Sequence, residues 1–168
     1  MNIKIIKNFL TLFGIGYIKI ASGTFASLFT CFFYYFLILL NINLVVPAFI
    51  LLFIIPTSII TINSNQRLFS EIDAREIVID EFIGQSISII SAYYFLIIFH
   101  DFNMNDDKWF LTKFMFIAFI SFRVFDILKP FPINLIDKIK NGYGVVMDDI
   151  LAGIYSTIFL YIVYKITD

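Results

Sequence analysis

Residues 80–99 read DEFIGQSISIISAYYFLIIF, two adjacent carboxylates followed by eighteen residues without a charge. A helix needs ~20 apolar residues to cross a ~30 Å hydrocarbon core. Charged side chains at the centre of a bilayer are costly and rare. Asp80 and Glu81 therefore fit a membrane reading only if they stand at the mouth of the helix, level with the lipid headgroups. Sustained two-residue alternation is missing here and elsewhere, so strands are not expected.

Outward from that stretch the same pattern recurs. Apolar runs lie at about 27–42, 44–62, 82–99, 109–128 and 150–164. The second, third and fourth have spanning length, whereas the first and last are short enough to be tilted or partly interfacial. Of the 168 residues, 60% are hydrophobic, 19% aromatic and 15% charged, with a mean hydropathy of +0.91. Soluble domains run near ~25% charged, so the expectation is an all-α, multi-helical membrane protein. It has one domain over residues 1–168 and about four to five embedded helices. The net charge of −1 offers no basic face for nucleic acid. The single cysteine, Cys31, excludes an internal disulfide and a cysteine metal site. The opening MNIKIIKNFLTLFGIGYIK is broken by Gly14, Gly16 and Lys19, which favours an interfacial amphipathic segment over a cleaved leader.

Basic residues give a sidedness. If all five runs cross, one side collects Lys4, Lys7, Lys19, Arg67, Arg75, Arg123, Lys129, Lys138 and Lys140, nine of the twelve, and the other only Lys108, Lys113 and Lys165. Nine against three predicts a cytoplasmic N-terminus. The same side collects every unusual polar cluster.

Four clusters are candidates for chemistry. Ser22-Gly23-Thr24, just before a helix, offers backbone donors and hydroxyls suited to phosphate, although Ser and Thr there are also ordinary N-caps. In REIVIDEFIGQ (75–85), Glu81 and Gln85 share a helix face and Gly84 allows close approach of a neighbour. In FRVFDILKPFPINLID (122–137), Arg123, Asp126 and Lys129 are spaced by three along one face, and Pro130 and Pro132 stop the helix. In GYGVVMDDILAGIY (142–155), Asp148 and Asp149 open another apolar run, with Gly153 one turn on. Five carboxylates at three helix ends repel one another unless a cation intervenes. All-oxygen ligands favour Mg²⁺, and Arg123 and Lys129 suit phosphate. The only histidine, His100, falls in the loop HDFNMNDDK on the opposite face, and Cys31 has Leu37 where a cysteine phosphatase loop needs arginine. Metal-assisted attack of water on phosphorus is the option left.

The ordered set SGTFASL (22–28), IVIDEFIGQ (77–85), FRVFDILKPFPI (122–133) with Asp137, and GYGVVMDDILAG (142–153) resembles the bacterial phosphatidylglycerophosphatase A family nearly end to end. That family usually has Pro-Gly-Thr and then Gly-Ser-Leu in the first block, where this chain has Ser22 and Ala26. The resemblance implies an all-helical, Mg²⁺-dependent enzyme of the bacterial inner membrane. Its implied reaction dephosphorylates phosphatidylglycerophosphate to phosphatidylglycerol on the cytoplasmic side. By match of motif, Asp80, Glu81, Asp126, Asp148 and Asp149 form the acidic, metal-binding centre. Arg123 and Lys129 bind phosphate, and Gly23 with Thr24 supports it; the motif does not say which carboxylate ligates metal. The competing readings are a CDP-alcohol phosphatidyltransferase, whose longer aspartate pattern is missing, and a small cation transporter, which places acids near helix midpoints. A structural subunit leaves the Arg123, Asp126 and Lys129 row without a role.

Overall fold

Backbone that crosses hydrocarbon must satisfy its own polar groups, and a helix does so within one segment. The computed structural model describes residues 3–69, 74–100 and 108–167, and no strand occurs among them. The helices are α1 (Ile3–Leu10), α2 (Ser22–Leu39), α3 (Val45–Ser64), α4 (Ile79–His100), α5 (Lys108–Leu128), α6 (Ile133–Ile136) and α7 (Gly142–Thr167). Four of them, α2, α3, α4 and α7, are long and apolar enough to cross a membrane. The fifth long helix, α5, has 21 residues but carries Lys113, Arg123 and Asp126 along its length.

Two expectations change. The run at 150–164 belongs to a helix of 26 residues that starts at Gly142, and the run at 27–42 to one of 18 residues that starts at Ser22. Their polar leading turns are helical too, so neither helix is short of spanning length. His100 closes α4 rather than opening a loop; residues 101–107 lie outside the described residues.

The bundle is built around α7, which packs against α3, α4, α5 and α6, while α2 lies on α4 and α5. Small residues set the closest crossing. A Cβ on Gly153 would strike the carbonyl oxygen of Gly84, and a Cβ on Gly84 would lie 2.5 Å from the Asp149 carbonyl oxygen and 2.6 Å from Phe122. Backbones approach this closely only where there is no side chain between them, a common device in membranes. Deeper in, the Ser156 hydroxyl hydrogen-bonds those of Ser88 (2.7 Å) and Ser121 (2.6 Å), tying α7 to α4 and α5. On the outside, α3 presents Phe49 and Phe53 at 62% and 70% exposure, an apolar surface that water does not tolerate over such an extent. Pro56 interrupts α3, and in the same turn the Thr57 hydroxyl donates to the Phe53 carbonyl (2.6 Å).

Both ends of the bundle are tied by asparagine. Asn63 at the end of α3 accepts from the Gly142 N–H at the start of α7 (2.7 Å), and Asn43 between α2 and α3 accepts from Tyr94 Oη on α4 (2.8 Å). The starts of α2, α4 and α7 and the ends of α3 and α5 therefore share one side. The amphipathic α1 buries Ile6 and Leu10, and the Leu10 carbonyl accepts from the Val78 N–H (2.9 Å), one residue before α4.

Candidate active site

Asp80 and Glu81 occupy the first turn of α4, where the helix dipole favours negative charge. Asp149 reaches them from α7. That helix begins early because the Asn141 side chain caps it, accepting from the N–H groups of Tyr143 (2.9 Å) and Gly144 (3.0 Å). Asp148 and Asp149 are consequently its seventh and eighth residues, two turns inside the helix rather than in its opening turn. With Gly84 and Gly153 holding the two backbones together, oxygens of Asp80, Glu81 and Asp149 lie within 4.8 Å of one another. Asp80 and Asp149 are buried at 7% and 4% exposure, and Glu81 Oε2 is buried with no hydrogen-bond partner among the described residues. Gathering three carboxylates out of water costs several kcal/mol per ion unless a cation compensates. An all-oxygen trio with an unsatisfied buried oxygen fits a hard divalent cation.

Cations stand next to the trio. Arg123, near the end of α5, pairs with Asp126 (2.6 Å), and its Nε is buried without a hydrogen-bond partner among the described residues. Gly23 makes room for both sides of the site. A Cβ there would collide with the Glu81 carboxylate and lie 3.2 Å from an Arg123 guanidinium nitrogen. Lys129 sits just past α5 with φ 42°, a left-handed conformation that costs a non-glycine residue ~1–2 kcal/mol. Its ammonium bonds Asp137 and Asp148, the latter at 2.8 Å. Burial alone would lower the Lys129 pKa, but the Asp137 and Asp148 carboxylates outweigh it and raise the value above the ordinary lysine range. With the folded value raised, the Lys129 charge adds stability while Asp137 and Asp148 are ionised, and that contribution is lost as pH rises beyond the lysine range.

The residues singled out in the sequence thus fall into three groups. Asp80, Glu81 and Asp149 form the trio. Asp126 and Asp148 stand beside it, each already bonded to a cation, so the five carboxylates do not form one equivalent cluster. Arg123 and Asp126 share a helix face as the spacing predicts, whereas Lys129 leaves that face because the chain turns left-handed at its α-carbon. Ser22 is not an N-cap: Ala21 holds that position without a side-chain bond, and the Ser22 hydroxyl donates to the Arg75 carbonyl (2.6 Å). Thr24 lies half-buried in the first turn of α2. The sequence reading did not assign Asp137 its role as partner of Lys129; eight residues apart, the two meet only across the bend at Pro130. Nor did it single out the serines of the hydroxyl chain, since single serines in apolar runs carry no periodic signal.

Comparison with known proteins identifies the family. The profile of the family described as phosphatidylglycerophosphatase A matches residues 8–164. A Bacteroides thetaiotaomicron protein, provisionally named a phosphatidylinositol-3-phosphatase, is 30% identical over 151 residues, 88% of this chain and 86% of its own. The Escherichia coli phosphatidylglycerophosphatase A is 29% identical over 152 residues, 90% of this chain and 78% of its own. That of Haemophilus influenzae is 56% identical over 45 residues, 26% of this chain and 28% of its own. No solved structure matches the chain. With the family profile covering almost every described element, from α1 to the last turn of α7, the chain belongs to the phosphatidylglycerophosphatase A family and is a membrane phosphatase acting on phosphate monoesters.

Proposed function

We propose that the protein hydrolyses phosphatidylglycerophosphate to phosphatidylglycerol and inorganic phosphate at the cytoplasmic face of a bacterial inner membrane. In this reading Asp80, Glu81 and Asp149 hold Mg²⁺. The observation that carries it is the buried carboxylate trio beside Arg123 and Gly23 at one end of a lipid-exposed bundle. A lipid keeps its acyl chains in hydrocarbon while its phosphate reaches headgroup depth, the level this reading gives to these groups. The excess of basic residues on that same side supports a cytoplasmic site.

When bound, the divalent ion supplies charge neutralisation at phosphoryl oxygens and a more acidic water. The remaining work falls to side chains. Arg123 offers a planar fork to the phosphate, including the Nε that lacks a protein partner. The N–H groups of the first turn of α2, reached past Gly23, favour the same anion. Hydrolysis adds a water oxygen to phosphorus, breaks the bond to the glycerol oxygen and returns a proton to it. In this reading Asp126 and Asp148, which lie outside the trio and each pair with a cation, move that proton. Lys129 keeps Asp148 in position.

Purified protein in detergent micelles should release inorganic phosphate from phosphatidylglycerophosphate with Mg²⁺ and lose that activity in EDTA, regaining it on adding Mg²⁺ back. Phosphatidylinositol 3-phosphate belongs in the same assay, given the name of the Bacteroides relative. A higher kcat/KM for that lipid would replace the proposed substrate, and full activity in EDTA would refute the metal.

A further inference from the structure

A groove runs directly beneath the site. Gly23 at the start of α2 faces the guanidinium of Arg123 near the end of α5, and the two helices descend from there side by side in opposite directions. Between them opens a cavity of about 310 Å³ with no charged residue in its lining. Leu28 and Phe119 form its mouth, five residues below Gly23 and four below Arg123. Its floor is Cys31 and Met115, both buried and in contact through Cys31 Sγ and the Met115 carbonyl (3.9 Å). Phe32 and Phe116 stand at its sides, 56% and 65% exposed, and Tyr35 and Thr112 close its far end. At 1.5 Å rise per residue, the path from Gly23 to Tyr35 is ~18 Å, comparable with one leaflet of a ~30 Å hydrocarbon core.

We propose that this groove seats one acyl chain of the lipid whose phosphate is held at Gly23, Arg123 and the carboxylate trio, an inference that rests on the phosphatase reading of that site. Continuity carries it. The two helices that border the phosphate position at the top are the two that line the groove, in register, turn by turn. A tail moving from bilayer to groove leaves one hydrocarbon for another, so no hydrophobic free energy drives the transfer. The groove contributes alignment, fixing the depth and direction from which the phosphate ester enters. Leu28, Phe32 and Phe116 then become determinants of chain selectivity.

The test compares phosphate release from phosphatidylglycerophosphates of graded chain length and from the deacylated, water-soluble ester. Leu28→Trp blocks the mouth and should lower the ratio of kcat/KM for long-chain over deacylated substrate about tenfold, misplacement of a reacting group by ~1 Å being enough for a loss of that order or more. Phe116→Ala opens one side and should flatten the chain-length preference. A second measurement does not depend on how the variants fold. In the wild-type protein, a phosphatidylglycerophosphate with a diazirine at the end of one acyl chain should label residues 31–35 and 112–116, and unlabelled substrate should compete. Unchanged selectivity in folded variants, or labelling that substrate does not displace, would show a groove filled by ordinary bilayer lipid and overturn the proposal. Absence of phosphate release from every ester by the wild-type protein would instead refute the phosphatase reading, and competed labelling would still report the groove.

Discussion

At the scale of single residues, the site depends on a missing side chain as much as on the charged ones. Gly23 is the second residue of α2, where alanine would favour the helix by up to ~1 kcal/mol. The space a Cβ needs is taken by the Glu81 carboxylate and the Arg123 guanidinium. Gly23→Ala should therefore leave helix content unchanged by circular dichroism while lowering kcat/KM about 10²-fold, as expected for a displaced reacting group. The trio permits a test that needs no turnover. Mg²⁺ should raise the thermal stability of the wild-type protein by ~2.7 kcal/mol at a hundredfold excess over its Kd. Asp149→Asn should fold, lose that Mg²⁺-dependent gain and lose activity. An equal gain in the variant, followed by thermal unfolding in detergent, would remove Asp149 from the proposed metal site.

At the scale of elements, the crossing of α4 and α7 holds the site together. Gly84 and Gly153 let the two backbones touch, and the carboxylates ride on that contact. Gly153→Ala should destabilise the protein by ~1–3 kcal/mol, the usual cost of forcing atoms into a filled space, read as a lower midpoint of thermal unfolding. The paired motifs at 80–85 and 148–153 were legible because a charge next to an apolar run marks the headgroup level, and a glycine one turn on marks a close neighbour. The start of α7 was not. Gly142, Gly144 and the β-branched Val145 and Val146 have low helix propensity, and what makes them helical is tertiary. A Cβ on Gly142 would lie 2.6 Å from the Ile59 carbonyl oxygen on α3, and Asn63 and Asn141 satisfy the free N–H groups. The turn at Lys129 was hidden for a related reason, since its left-handed backbone is compensated by Asp137 and Asp148, neither of which is a helix-spaced neighbour.

Across the whole molecule, helical class, membrane character and the gathering of polar motifs at one end follow from composition and from where the charges interrupt the apolar runs. The unequal placement of the five acids does not follow from those features. It arises from which backbone each acid stands on and which cation lies within reach, and α5 brings Arg123 to Asp126 while the bend after it brings Lys129 to Asp148. The glycine contact between α4 and α7 has a consequence for the chain's history as well as its chemistry. Main-chain atoms, not the bulk of neighbouring side chains, set the separation of Asp80 and Glu81 from Asp149. Away from the groove between α2 and α5, a phenylalanine or isoleucine of the outer shell can be traded for another apolar residue, with the bilayer absorbing the change of shape. A protein built this way can accept changes over most of its lipid-facing coat while the distances among its carboxylates stay fixed.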